Sequence, residues 1–123
     1  MKVLKNKANR PKTVVTRFIK EVWNQKKVDS IPKFISRSYV AHLLGGGGEV
    51  VGTRGVRLNV IKAHSQFKGL KIKVRKIVED GDHTASWITL TSQNKVMNEL
   101  IIHKVKNNLI TEAWSIGGNW LKL

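Results

Sequence analysis

The residues best placed for chemistry lie near the end of the chain, in VMNELIIHKVKNNLITEAWSI. Asn107 and Asn108 suit the two central positions of a type I′ hairpin turn, which both require positive φ. With that turn, Val105 faces Ile110, His103 faces Glu112 and Ile101 faces Trp114 on one sheet surface. Cβ atoms directly opposite one another stand about 5 Å apart, close enough for an imidazole–carboxylate hydrogen bond. A carboxylate so placed fixes the tautomer and raises the histidine pKa, which is how a general base is tuned. The same arrangement also describes a satisfied buried polar pair that only specifies strand register.

Other residues join this pair as candidates. His42, in SYVAH, is a further proton-transfer candidate, and Tyr39 can donate a hydrogen bond to a developing oxyanion. Trp23, Trp114 and Trp120, with Ile88, Ile101 and Val105, are candidates for the wall of an apolar pocket. The run LLGGGGEVVGTRGVR raises a different chemistry, that of a phosphate-cradling loop. Gly47 and Gly52 have the glycine spacing of such a loop, but Thr53 and Arg54 stand where a lysine and a hydroxyl residue are required. No strand pattern leads into the run, and the nucleotide reading falls.

Composition narrows the classes further. The 123 residues make one domain, and the absence of cysteine excludes disulfides, thiolate metal sites and cysteine nucleophiles. No cofactor or metal is expected. The apolar runs are short and the N-terminus lacks a signal-peptide pattern, so a cytoplasmic protein with no membrane contact is expected. The net charge of +15 invites a nucleic-acid reading, yet the 23 Lys and Arg are spread along the whole chain. The densest basic run holds Lys2, Lys5, Lys7, Arg10 and Lys12, so residues 1–11 are expected to be a flexible basic tail. Nucleic-acid binding through it would be weak and non-specific.

The elements that must position these residues follow from periodicity. TVVTRFIKEVWNQ puts Val14, Val15, Phe18, Ile19, Val22 and Trp23 on one helical face after Pro11. A short helix follows from Asp29 through Ile31, Phe34 and Ile35, and a third carries Val56, Val60, Ile61 and His64 before Gly69. From Leu70 the pattern predicts four strands separated by EDGD, SQNK and KNNL and ended by GGNW. The result is an α+β domain over residues 12–123, a curved antiparallel sheet of four main strands under three helices. Its inner face would hold Ser86, Ile88 and Leu90, then Met97, Ile101, His103 and Val105, then Ile110, Glu112, Trp114 and Ile116. Its outer face would expose Ala85, Trp87, Leu100, Ile102 and Ala113, an apolar patch suited to a homodimer interface.

This order of features resembles the nuclear-transport-factor-2-like superfamily, and within it the SnoaL-like polyketide cyclase group. The matching stretches are VVTRFIKEVWNQKKVDSIPKFISRSYVAH, GTRGVR, IVEDGDHTASWIT and LITEAWSI. The resemblance implies a cone-shaped sheet, an α+β barrel whose open end is a small-molecule pocket under three helices, commonly in a dimer. It places the glycine run between the second and third helices as a flexible flap. It does not fix the reaction, because the position of the cyclases' acid/base aspartate, four residues beyond the tryptophan of the last strand, is Gly118 here. Two readings therefore stand. One is proton-transfer chemistry of isomerase, cyclase or dehydratase type on a small hydrophobic substrate, and the other is a non-catalytic module binding a small hydrophobic or anionic molecule.

Overall fold

The computed structural model describes residues 9–123. Residues 1–8, which hold most of the expected basic tail, lie outside them. At its end, Arg10 pairs with Glu79 at 3.1 Å and the Lys12 amide donates to the same carboxylate at 2.9 Å, so Pro11 starts a helix already anchored to the sheet.

Helix α1 (Pro11–Phe18) buries Val14, Val15 and Phe18, as their spacing predicts. It then continues as a π-helical turn, Ile19–Asn24. A wider turn aligns residues five apart, so Phe18 and Trp23 share a face over the sheet. Asn24 locks this turn in place. Its side-chain amide donates to the carbonyl of Ile72 and its oxygen accepts from the Ile72 amide, both at 2.8 Å. A 3-10 turn (Val28–Lys33) follows, with Ile31 buried.

Among the described residues the sheet has seven strands rather than four. β1 (Ile35–Leu43) and β2 (Gly48–Val51) occupy the chain between the 3-10 turn and α2 (Gly52–Gln66). Next come β3 (Lys71–Asp80), β4 (His83–Ser92), β5 (Lys95–Lys106), β6 (Leu109–Gly117) and the short β7 (Leu121–Lys122). Their order is β2-β1-β6-β5-β4-β3, with β7 beside β5, so the sheet is open rather than closed into a barrel. It is also mixed, since β1 runs parallel to β6. The glycine run is therefore not a flap between helices but the turn of the β1–β2 hairpin, and a strand does lead into the helix beyond it. Gly46 and Gly48 take φ of +100° and +84°, where a Cβ would meet open space but the backbone angle itself disfavours other residues.

The strand pairings inferred from the turns hold for β4–β5, where Met97 faces Leu90 and Ile101 faces Ser86. They also hold at the tip of β5–β6: Asn107 and Asn108 both have positive φ, and Val105 faces Ile110. Beyond that point they fail. Thr111 is an extra residue, a β-bulge, so Lys104 faces Glu112, His103 faces Ala113 and Ile102 faces Trp114. Because side chains alternate at every residue, this one insertion turns Glu112, Trp114 and Ile116 to the outer face and brings Ala113 and Ser115 inside. The core then lies between α1, its π turn, α2 and the inner face of β1 and β3–β6.

Candidate functional site

A cavity of about 130 Å³ lies between the helices and the concave face of the sheet. Phe18, Ile19 and Trp23 form its ceiling, with Val56 and Asn59 of α2 at its side. Its floor is Ile88, Leu90, Ile101 and Ala113. Five of its side chains are polar: Tyr39, Asn59, Glu99, His103 and Ser115.

Glu99 stands on β5 in the inward row with Ile101 and His103, and sequence reasoning missed it. The signal was available, since the alternation from Met97 to His103 passes through this position, but a carboxylate in an apolar row is easily read as solvated. Burial pushes the Glu99 pKa up, and a side-chain hydrogen bond from Ser115 opposes that rise. Tyr39, on β1, is 6 % exposed. Burial first, and then the charge of Glu99, push its phenol well above the ordinary tyrosine range, so it remains a donor. A carboxyl group whose protonated form burial favours thus shares an apolar chamber with a phenol held in its protonated form.

His103 also lines the cavity but lacks the expected partner, because the bulge carries Glu112 to the other side of the sheet. Its Nδ1 has no hydrogen-bond partner, nor do the hydroxyls of Thr84, opposite it on β4, and of Ser86. Burial holds its pKa down to about 4, so the ring is neutral at physiological pH. It is not a carboxylate-polarised base.

The remaining candidates divide between the two faces. Trp23, Tyr39, Ile88 and Ile101 line the cavity as expected. Val105 is buried in the core without lining it, and Trp120 packs on Phe67 with ring centroids 4.8 Å apart. His42, Glu112 and Trp114 sit on the outer side. There the imidazole of His42 meets Glu112 through Nε2 at 2.7 Å and Glu49 through Nδ1 at 3.1 Å. The hydrogen bond to Glu112 is the main cause of its raised pKa, and a ring donating from both nitrogens is an imidazolium. Trp114 stacks against His42 at 5.7 Å and His83 at 6.2 Å, and His83 in turn pairs with Asp82 at 2.7 Å. The indole lies on the outer face within this cluster, and none of these residues lines the cavity.

Beside it the outer face exposes Trp87, Leu100, Ile102 and Ile116, between 43 % and 58 % accessible, around an apolar groove of about 450 Å³. Ala113, expected here, is buried on the inner face. Among the described residues no cluster of His, Asp or Glu could hold a metal ion, and no helix is long and apolar enough to cross a membrane.

A curved open sheet with helices over a largely apolar cavity is an α+β pocket architecture, and solved structures share it. IdmH from Streptomyces antibioticus, a candidate polyketide cyclase, superposes with a TM-score of 0.81 at 19% identity, over 90% of this chain and 94% of that one. A candidate polyketide cyclase from Acidithiobacillus ferrooxidans gives 0.79 at 19% identity, over 92% and 91%. A candidate ketosteroid isomerase from Kribbella flavida gives 0.77 at 10% identity, over 92% and 81%. At these identities the likeness establishes the fold alone. No curated protein matches the sequence. The family model of the SnoaL-like polyketide cyclases matches residues 13–119, and the chain belongs to that family.

Proposed function

We propose that the chain is a small-molecule pocket protein that catalyses proton transfer next to a carbonyl group, with Glu99 as the acid/base and Tyr39 as the hydrogen-bond donor to the oxyanion. The observation that carries this reading is the raised pKa of Glu99 inside an apolar cavity that also holds a protonated phenol. The Glu99 carboxylate removes a proton from the carbon beside the carbonyl, the C–H electron pair becomes the new C=C bond, and the carbonyl π pair moves onto the oxygen. Tyr39 donates to that oxygen as negative charge develops on it. The Glu99 carboxyl then returns the proton to the same carbon or to a conjugated one, giving exchange or isomerisation. Neutral His103 serves as a polar contact rather than a proton carrier. Gly118, where the cyclases have an aspartate, does not stand against this route, because Glu99 reaches the cavity from another strand.

The test is hydrogen–deuterium exchange at the activated carbon of a small ketone. Glu99→Gln keeps the shape but cannot accept the proton, so exchange should fall by about 10²–10⁴-fold while binding persists. Enzyme-dependent exchange unaffected by the substitution would remove Glu99 as the acid/base, and binding with no enzyme-dependent exchange would leave the non-catalytic binding module as the better reading. We also propose that the exposed apolar outer face pairs two copies of the chain. The support is four large apolar side chains clustered around one groove, a patch costly for a lone molecule to leave wet.

A further inference from the structure

We infer that this cavity selects a neutral substrate no larger than about one six-membered ring, and that Trp23 sets the limit. The inference rests on the proton-transfer reading for the word substrate; the selection itself is a statement about binding.

Charge comes first. The chain carries 23 Lys and Arg, yet among the described residues none lines the cavity. Its titratable groups are a carboxyl, a phenol held protonated, and an imidazole held neutral. An anionic ligand would enter an apolar space with no countercharge and would face Glu99. A buried charge without a partner costs far more than a buried neutral group that can hydrogen-bond. The basic surface therefore says nothing about what is bound inside.

Size comes second. The cavity measures about 130 Å³. An engineered apolar cavity of about 150 Å³ in another protein accommodates benzene. One ring with a carbonyl substituent fills such a space, and two fused rings do not.

Trp23 is the part of the wall that enforces this. In an unbroken α-helix Val22 would follow Phe18 on the same face, and Val22 is fully buried in the core. The π turn sets Trp23, the largest lining side chain, beside Phe18 and Ile19 over the cavity. The backbone that carries the indole is held on both sides. His64 donates from Nε2 to the Trp23 carbonyl at 2.7 Å and its ring lies 6.5 Å away, while Asn24 fastens the next residue to β3. An indole is itself a two-ring side chain, so its removal frees room for a second ring.

Three probes test the inference by calorimetry on the whole chain: 2-cyclohexen-1-one, cyclohexanecarboxylate and 2-tetralone. The wild type should bind the cyclic enone, and should bind the carboxylate and the two-ring ketone at least tenfold more weakly. Trp23→Ala should raise affinity for 2-tetralone by tenfold or more, with Trp23→Leu intermediate and available if the alanine variant fails to fold. Equal wild-type affinity for the carboxylate or for 2-tetralone, no binding of any probe, or no gain for 2-tetralone in a folded Trp23 variant would overturn it. These outcomes are separate from the fate of Glu99. Enone binding without Glu99-dependent exchange removes the proton-transfer reading and leaves the selection intact, whereas exchange on two-ring or anionic ketones does the reverse.

Discussion

Acidification should destabilise this protein through a single buried ring. His103 is 4 % exposed, and burial holds its pKa down to about 4. The unfolded chain titrates the same ring near 6.5. Between those values the unfolded state binds a proton that the folded state refuses. Stability from this residue is therefore fully present above about pH 6.5 and is lost as pH falls through the folded pKa. At about 1.4 kcal/mol per pKa unit, the depression corresponds to about 3 kcal/mol. His103→Gln keeps a hydrogen-bonding side chain and removes the titration. Urea unfolding of both proteins near pH 7 and near pH 4 isolates the effect, since every other group is shared. Glu99 and His42, whose folded pKa values are raised, act with the opposite sign in both proteins and cancel in the difference. The wild type should lose about 3 kcal/mol more than the variant over this range. Parallel losses would refute the reasoning, because they would mean that the ring is protonated or well hydrated in the folded state.

The outer-face dimer predicts that the wild type sediments as a dimer at micromolar concentration and that Leu100→Glu sediments as a monomer; a monomeric wild type removes the proposal. Deleting Thr111 erases the bulge and would force either the lost register or a flipped face, so a cost of about 3 kcal/mol or more in chemical unfolding is expected. A deletion that leaves stability unchanged would show that the extra residue does not set the faces. Nucleic-acid binding, if measured, should be independent of sequence, and removal of residues 1–8, with Lys2, Lys5 and Lys7, should lower the log–log salt slope by roughly 2–3. Sequence-selective, salt-tolerant binding would contradict this.

The parts of the fold governed by local chemistry were legible. The apolar stripe of α1, the positive-φ Asn107–Asn108 turn and the β4–β5 register all follow from residue type and spacing. Two parts were not. SRSYVAH is not read as a strand because one of its pairings is parallel, with β6, some seventy residues along the chain. Thr111 is a β-branched residue that suits a regular strand as well as a bulge, so nothing marks it as the extra one. The candidate site inherited that error: Glu112 and Trp114 were carried to the wrong face, while Tyr39, Ile88, Ile101 and Trp23, which do not depend on β6, fell where expected. Glu99 needed only the alternation already in use.

The side chain of Asn24 gives Ile72 the two hydrogen bonds that a further strand would have supplied at the free edge of β3. The cavity ceiling and that edge of the sheet are thereby welded into one rigid part. The opposite wall is built differently: β2 pairs only with β1, its hairpin turns on glycines, and Asn59 is exposed where it lines the chamber. The chamber is thus bounded on one side by a roof hydrogen-bonded to the sheet and on the other by Leu43 and Val50 of the hairpin and Asn59 of α2. Amide exchange should follow the same division, slow at Ile72 and Asn24 and faster in β2.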